Sequence, residues 1–218
     1  MGMVSLKESH SLRVALNSKE LAVNLKLTKQ EVALAEIVGL LHDIARCEQA
    51  HFKTFRDSPS FDHGDIGAIR LKESGILDSL SSEERAIVVF AVKNHNKRVF
   101  SPASANEKLF TDIVRDSDKI DIFAHIKPVI ADDSYSPALV KCILDGQVAP
   151  YEEIKTKADL RLIRLGWFYD INYKWTLSKL LKENYAESLL GELPDSDEFV
   201  KLKNEFWRNV KEKSAQCL

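Results

Sequence analysis

The stretch Val32-Ala33-Leu34-Ala35-Glu36-Ile37-Val38-Gly39-Leu40-Leu41-His42-Asp43-Ile44-Ala45-Arg46 decides the fold. It follows Thr28 and Glu31, which have the spacing of a capping box, where side chains satisfy amides left without partners at a helix start. From Val32 to Leu41 only Glu36 is charged, so the segment reads as a helix apolar nearly all round, central and buried. His42 and Asp43 then stand side by side at its inner end. A carboxylate entering a core is costly unless it is paired or binds metal.

Helix signals recur on either side of this segment. Ser5 with Glu8 and Ser81 with Glu84 repeat the capping-box spacing. Eight glycines and six prolines in 218 residues supply too little turn chemistry for an all-β chain. The pattern predicts helices over 6–26, 29–47, 63–74, 82–95, 107–125, 137–144, 157–171, 175–190 and 196–214. Residues Cys47 to Asp62 read as a loop centred on Asp57, Ser58, Pro59 and Ser60. No period-two strand pattern is persuasive. The expectation is an all-α helical bundle forming a single domain over 1–218, with a soft interruption at Asp145-Gly146 and Pro150, and additional C-terminal helices continuing the bundle.

Composition narrows the class. Apolar residues at 44% and charged residues at 29% are the balance of an ordinary globular protein, and the net charge of −2 gives no strong nucleic-acid signal. Cys47, Cys142 and Cys217 are scattered, which argues for a reducing cytoplasm and against a disulfide framework or a zinc ribbon. There is no signal-peptide pattern and no run of the ~18 apolar residues that a membrane span needs. Leu6 stands where a myristoylation motif after Gly2 requires Ser or Thr. A cytoplasmic protein with no membrane partner is expected, and nothing in the sequence signals an oligomeric state.

Several polar residues share the inward placement of His42 and Asp43. His10 lies in a stripe with Leu6, Val14 and Leu21; His95 follows Val88 and Ala91; Asp118 follows Phe110 and Val114. Spacings of three, four and seven set each on the apolar face of its own helix. Any one of them alone reads as a satisfied core residue. Together they converge, as ligands do when a bundle builds a metal site from facing helices. Imidazole with carboxylate suits Mn, Fe, Co, Ni or Zn, with Mg also admitted, and the lack of cysteine ligands argues against a structural zinc.

The order His10, His42-Asp43, Asp118 resembles the H…HD…D pattern of the HD-domain superfamily of metal-dependent phosphohydrolases. The flanking text His10-Ser11-Leu12-Arg13-Val14-Ala15 and Arg115-Asp116-Ser117-Asp118-Lys119-Ile120-Asp121 resembles the family's as well, over about residues 6–125. His63, in Asp62-His63-Gly64-Asp65, and His95, in Asn94-His95-Asn96, resemble the two extra ligands of the binuclear H…HD…H…H…D members. The resemblance implies one or two divalent ions, with Asp43 bridging, His10, His42 and Asp118 on one ion, and His63 and His95 on the other. It implies a phosphomonoesterase or phosphodiesterase using a metal-activated hydroxide on a nucleotide or other small phosphate ester. Developing charge needs a cation: Arg46, one turn past His42, is the first candidate and Lys119 the second. The alternatives are a di-iron oxygenase of the same superfamily and a non-catalytic ligand-binding or sensor module.

Departures from the pattern narrow the substrate. Arg46 and Cys47 occupy the places where guanosine tetraphosphate hydrolases carry an acidic pair, and the Gly-Tyr-Pro signature of cyclic-di-GMP phosphodiesterases is absent. His51 is expected on a loop within reach of substrate, and His125 at a helix end favoured by the dipole. In the C-terminal third, Trp167, Phe168, Tyr169, Tyr173 and Trp175 follow Lys155, Lys157, Arg161 and Arg164. Core packing behind a solvated basic face is the favoured reading, and a wall of the substrate pocket the other.

Overall fold

A computed structural model describes residues 2–58 and 60–218; Pro59, expected in the loop, lies outside them. The described residues are all-α. They hold no strand, only an isolated antiparallel bridge between Ser58 and Phe61. Two compact units part between Asp121 and Ile122. No described helix is long and apolar enough to cross a membrane.

The first unit contains α1 (Met3–Asn24), α2 (Lys29–Leu41), α3 (Arg46–Gln49), a 3-10 turn (Ala50–Phe52), α4 (His63–Glu73), α5 (Ser82–Asn94) and most of α6 (Ala105–His125). Two of the three expected capping boxes form. The Thr28 hydroxyl accepts from the Glu31 amide and the Glu31 carboxylate from the Thr28 amide at 2.8 Å, and Ser81 with Glu84 repeats the arrangement. Ser5 with Glu8 does not, because α1 already starts at Met3 and Ser5 lies within its first turn.

The helix expected over 29–47 stops at Leu41. From His42 to Ala45 the chain tightens to i→i+3 bonding, with Ile44 N on Leu41 O at 3.1 Å and Arg46 N on Asp43 O at 2.8 Å, before α3 begins. Nor is α2 buried all round. Leu34, Ala35, Val38 and Gly39 are buried, whereas Leu40 is 43% exposed. The buried face lies on α1, and Gly39 permits the approach. A Cβ there would stand 2.9 Å from both Ala15 Cα and Val14 O. On α1 itself the buried set begins at His10; Leu6, expected in the same stripe, is 52% exposed.

A second close approach joins α4 to the end of α5. A Cβ on Gly64 would meet the Lys93 carbonyl oxygen at 2.6 Å. The segment expected as one loop from Cys47 to Asp62 therefore includes α3 and the 3-10 turn, and ends on Asp62, whose side chain caps α4 by accepting from the Asp65 amide at 2.9 Å.

The second unit holds α7 (Pro137–Leu144), a 3-10 turn (Tyr151–Glu153), α8 (Asp159–Gly166), a 3-10 turn (Trp167–Asp170), α9 (Lys174–Lys182), α10 (Tyr185–Leu190) and α11 (Asp197–Gln216). The helix expected over 175–190 is two helices, because Asn184 adopts φ +58, the left-handed conformation that asparagine tolerates better than most residues. Of the aromatic cluster, Phe168, Tyr169 and Tyr173 are buried in the core, and Trp167 and Trp175 are half-buried. Phe168 packs on Phe123 and Phe206, with centroids 4.8 and 5.6 Å away, and Tyr169 on Phe206. Arg161, expected on a solvated face, is instead buried and donates to Val129 O at 2.9 Å and Asp133 at 3.0 Å. Asp159, the first residue of α8, ties down the chain before it, accepting from the amides of Ser136, Lys155 and Thr156.

Candidate metal centre

The helix ends explain where the site forms. The last carbonyls of a helix lack intrahelical donors. His42 follows α2 and places its ring Nδ1 2.7 Å from the carbonyl oxygen of Gly39, three residues back. His95 follows α5 and does the same to Val92 O, also at 2.7 Å. A carbonyl only accepts, so each of these rings must carry its hydrogen on Nδ1. In the neutral imidazole Nε2 is then a bare lone pair.

The other two histidines are held by carboxylates. His10 Nδ1 lies 2.6 Å from Asp121, which Arg13 also grips, Nη2 at 3.0 Å. His63 Nδ1 lies 2.7 Å from Asp57 Oδ2, and the His63 amide donates to Asp57 as well. Thus all four rings commit Nδ1 outward and turn Nε2 into one space. This is the arrangement of metal-ligating histidines, whose orientation the outer bond fixes.

Asp43 lies between two pairs of rings. Its Oδ2 is 3.6 Å from His10 Nε2 and 3.5 Å from His42 Nε2. Its Oδ1 is 3.4 Å from His63 Nε2 and 3.7 Å from His95 Nε2. Asp118 closes the first pair, with Oδ1 3.1 Å from His10 Nε2 and 3.9 Å from His42 Nε2. Ligand atoms of His10, His42 and Asp43, and of Asp43, His63 and His95, lie within 4.8 Å of one another in each group. The Nε2 atoms of His10 and His42 and Oδ1 of Asp118 are buried without a hydrogen bond of acceptable geometry. Orphaned ligand atoms of three residues facing one point fit a bound cation.

Charge in the cluster is set by opposing effects. Burial pulls the His10 imidazole down, but the neighbouring carboxylates of Asp118 and Asp121 outweigh it and raise its pKa to about 9. His42 is pushed to about 4 by burial, against the nearby carboxylates, so it stays neutral at pH 7. Burial also lowers His63. For Asp43 burial works upward, yet His42, His95 and Lys7 hold its carboxyl well below the usual range. Asp57 and Asp118 are likewise lowered despite burial, chiefly by the imidazoles of His63 and His10 respectively.

A family model described as the HD domain matches residues 8–123, more than half of the 218-residue chain. The chain belongs to the HD domain family. HD domains form a superfamily of metal-dependent hydrolases, and the His/Asp cluster fits the HD metal site. No curated protein and no solved structure matches the chain.

The HD domain brings together all six residues expected as ligands: His10, His42, Asp43, His63, His95 and Asp118. Arg46 begins α3 rather than continuing α2. Its Nε is 3.3 Å from Asp43 Oδ1, and its Nη1 donates to Phe55 O at 2.6 Å and reaches Gln49 and Asp57. Lys119 is buried on α6 beside Asp118, not solvated. His51 is exposed in the 3-10 turn, bonded to Cys47 O at 3.1 Å, and His125 is exposed in the last turn of α6. Three residues escaped the sequence reading: Lys7, whose Nζ is 2.6 Å from Asp43 Oδ2, and the two carboxylates behind His10 and His63. Asp121 carried a signal, since it follows Asp118 by three residues and so shares its helix face.

Proposed function

We propose that this HD-domain protein is a phosphohydrolase that cleaves a nucleotide or other small phosphate ester with the help of two divalent ions. The observation that carries the reading is the orientation of Asp43, one oxygen toward His10 and His42 and the other toward His63 and His95. A carboxylate so placed is suited to bridging, with Asp118 completing the first group. Two bound ions would supply a water of lowered pKa and draw charge from the phosphoryl oxygens. Mn, Fe, Co, Ni and Zn suit this donor set of imidazole and carboxylate, and Mg, which prefers oxygen, is admitted through the carboxylates.

The chain's own residues then have defined tasks. Asp121 and Asp57 aim His10 and His63, the carbonyls of Gly39 and Val92 aim His42 and His95, and Asp43 joins the halves. Arg46 adds positive charge beside Asp43, and Lys119, next to Asp118 in sequence, is the second candidate cation. In the net reaction the water oxygen bonds to phosphorus, the ester P–O bond breaks, and the water proton goes to the leaving oxygen. Free thiols at Cys47, Cys142 and Cys217 agree with a reducing cytoplasm.

The test is metal analysis of purified protein joined to a phosphate-release screen. Monoesters, diesters and nucleotides are assayed with each of the six metals in turn. Release that needs added metal and vanishes in Asp43→Ala supports the reading. Iron-dependent oxygen uptake with no phosphate release would replace it with an oxygenase, and ligand binding without turnover with a sensor.

A further inference from the structure

We propose that Lys7 is the residue that contacts the phosphoryl group of the substrate, an assignment that rests on the hydrolase reading above. Lys7 lies on α1 one turn before His10, and its Nζ is 2.6 Å from Asp43 Oδ2, the oxygen that faces His10 and His42. Its ammonium also sits 5.3 Å from the centroid of the Phe55 ring, within cation–π range. The Lys7 side chain is 19% exposed, whereas those of His42, Asp43, His63 and His95 are 3% exposed or less. It therefore stands at the edge of the cluster, with the buried ligands on one side and solvent on the other.

Donor capacity separates Lys7 from the cations named by the sequence. An ammonium has three donors, and in Lys7 Asp43 accepts one of them. Arg46 has its guanidinium divided among Asp43, Gln49, Asp57 and the Phe55 carbonyl, so it fastens the loop that carries Asp57. Lys119 is buried within α6. Lys7 is also held through a single carboxylate that cations in the site would compete for. Once Asp43 shares its charge with them, the hold on the ammonium weakens, and repulsion favours the solvent side, from which a substrate must arrive. A phosphoryl dianion matches that side in charge. A compact ammonium on a flexible stem suits it as a point-charge donor. The Phe55 ring limits how far the stem swings.

The test uses the full chain loaded with Mn(II), as wild type, Lys7→Met and Lys7→Arg. Inorganic phosphate is titrated calorimetrically, metal per chain and melting temperature are measured on the same samples, and p-nitrophenyl phosphate supplies kcat and KM. Lys7→Met should keep its metal and melting temperature while binding phosphate about 10- to 100-fold more weakly, the loss of one charge-assisted hydrogen bond. Lys7→Arg should restore most of that affinity. If Lys7→Met binds phosphate like wild type, or loses phosphate only because it loses metal, Lys7 is merely the partner of Asp43 and the assignment is overturned while the hydrolase reading stands. If metal-loaded wild type neither binds phosphate nor hydrolyses any ester, the hydrolase reading falls first and the assignment with it.

Discussion

His63 and His95 meet Nε2 to Nε2 at 3.0 Å, each with its Nδ1 already committed, one to Asp57 and the other to the Val92 carbonyl. Two lone pairs that close repel unless a proton or a metal ion stands between the rings. On the two-ion reading, metal analysis of the saturated wild type should give about two ions per chain, and His95→Ala about one. A wild-type count near one, unchanged in His95→Ala and His63→Ala, would make the pair a proton-sharing couple instead.

Asp43 is the residue common to both halves. Asp43→Ala should therefore remove nearly all bound metal and all turnover while far-UV circular dichroism remains helical. Retention of either ion at wild-type affinity would show that the halves do not depend on a shared carboxylate.

The two tight helix contacts allow the halves to be disturbed separately. Gly39→Ala would drive a methyl to 2.9 Å from the backbone of Ala15 and Val14, forcing α2 off α1, where His10 and Val14 are carried. Overpacking of this kind costs about 1–3 kcal/mol, visible as a lower melting temperature. Gly64→Ala meets the Lys93 carbonyl and should displace His63 from His95. The expected outcome is preferential loss of one ion in each variant, a different one in each. Equal metal content in both would contradict the placement.

How much of this was legible in sequence depends on what kind of signal each feature leaves. His10, His95 and Asp118 were found because side-chain type and helical spacing mark a polar residue on an apolar face, as at His95 after Val88 and Ala91, and His42 and Asp43 because they end an apolar run; His63 was found only through the family resemblance. The boxes at Thr28 and Ser81 were found because their chemistry is local. The end of α2 was not, since the bond from the His42 ring to Gly39 O leaves no trace in hydrophobic periodicity. Asp57 was missed because tertiary folding, not spacing, brings the loop to the site, whereas Lys7, like Asp121, stands three residues from a ligand on the same helix and was marked only by that spacing. The break at Asn184 was missed because asparagine occurs in helices as well as in left-handed turns.

Proton release should report on His10. Its pKa of about 9 in the metal-free protein, where Asp118 and Asp121 outweigh burial, means that it is protonated at pH 7.5. A ligating imidazole must be neutral, so metal binding at that pH should release about one proton from this group. Because the metal-free form holds the extra proton, metal affinity should rise with pH until His10 titrates near 9, then level off. Calorimetry in two buffers of different ionisation enthalpy counts the proton. Asp121→Asn should weaken metal binding about 10- to 100-fold and reduce the release.

Arg46→Ala gives the last test. With four protein partners, the guanidinium ties Asp43 to the 55–57 segment. Its removal should lower stability by about 2 kcal/mol and loosen the His63 half through Asp57. A drop of about 10²-fold in kcat/KM with metal content and melting temperature unchanged would show that Arg46 acts on substrate instead.

The outward bonds of the four imidazoles also bear on their strength as donors. Each half of the cluster pairs one ring held by a neutral carbonyl, His42 or His95, with one held by a carboxylate, His10 or His63. An anionic acceptor pulls the Nδ1 proton and enriches the far nitrogen, so the carboxylate-backed ring of each pair offers a cation the more electron-rich Nε2. The halves are thus matched in kind, each with one strong and one ordinary nitrogen. They are unmatched in oxygen, because Asp118 serves only the first. The first half is therefore set apart by a carboxylate on α6, together with the proton that His10 must give up there.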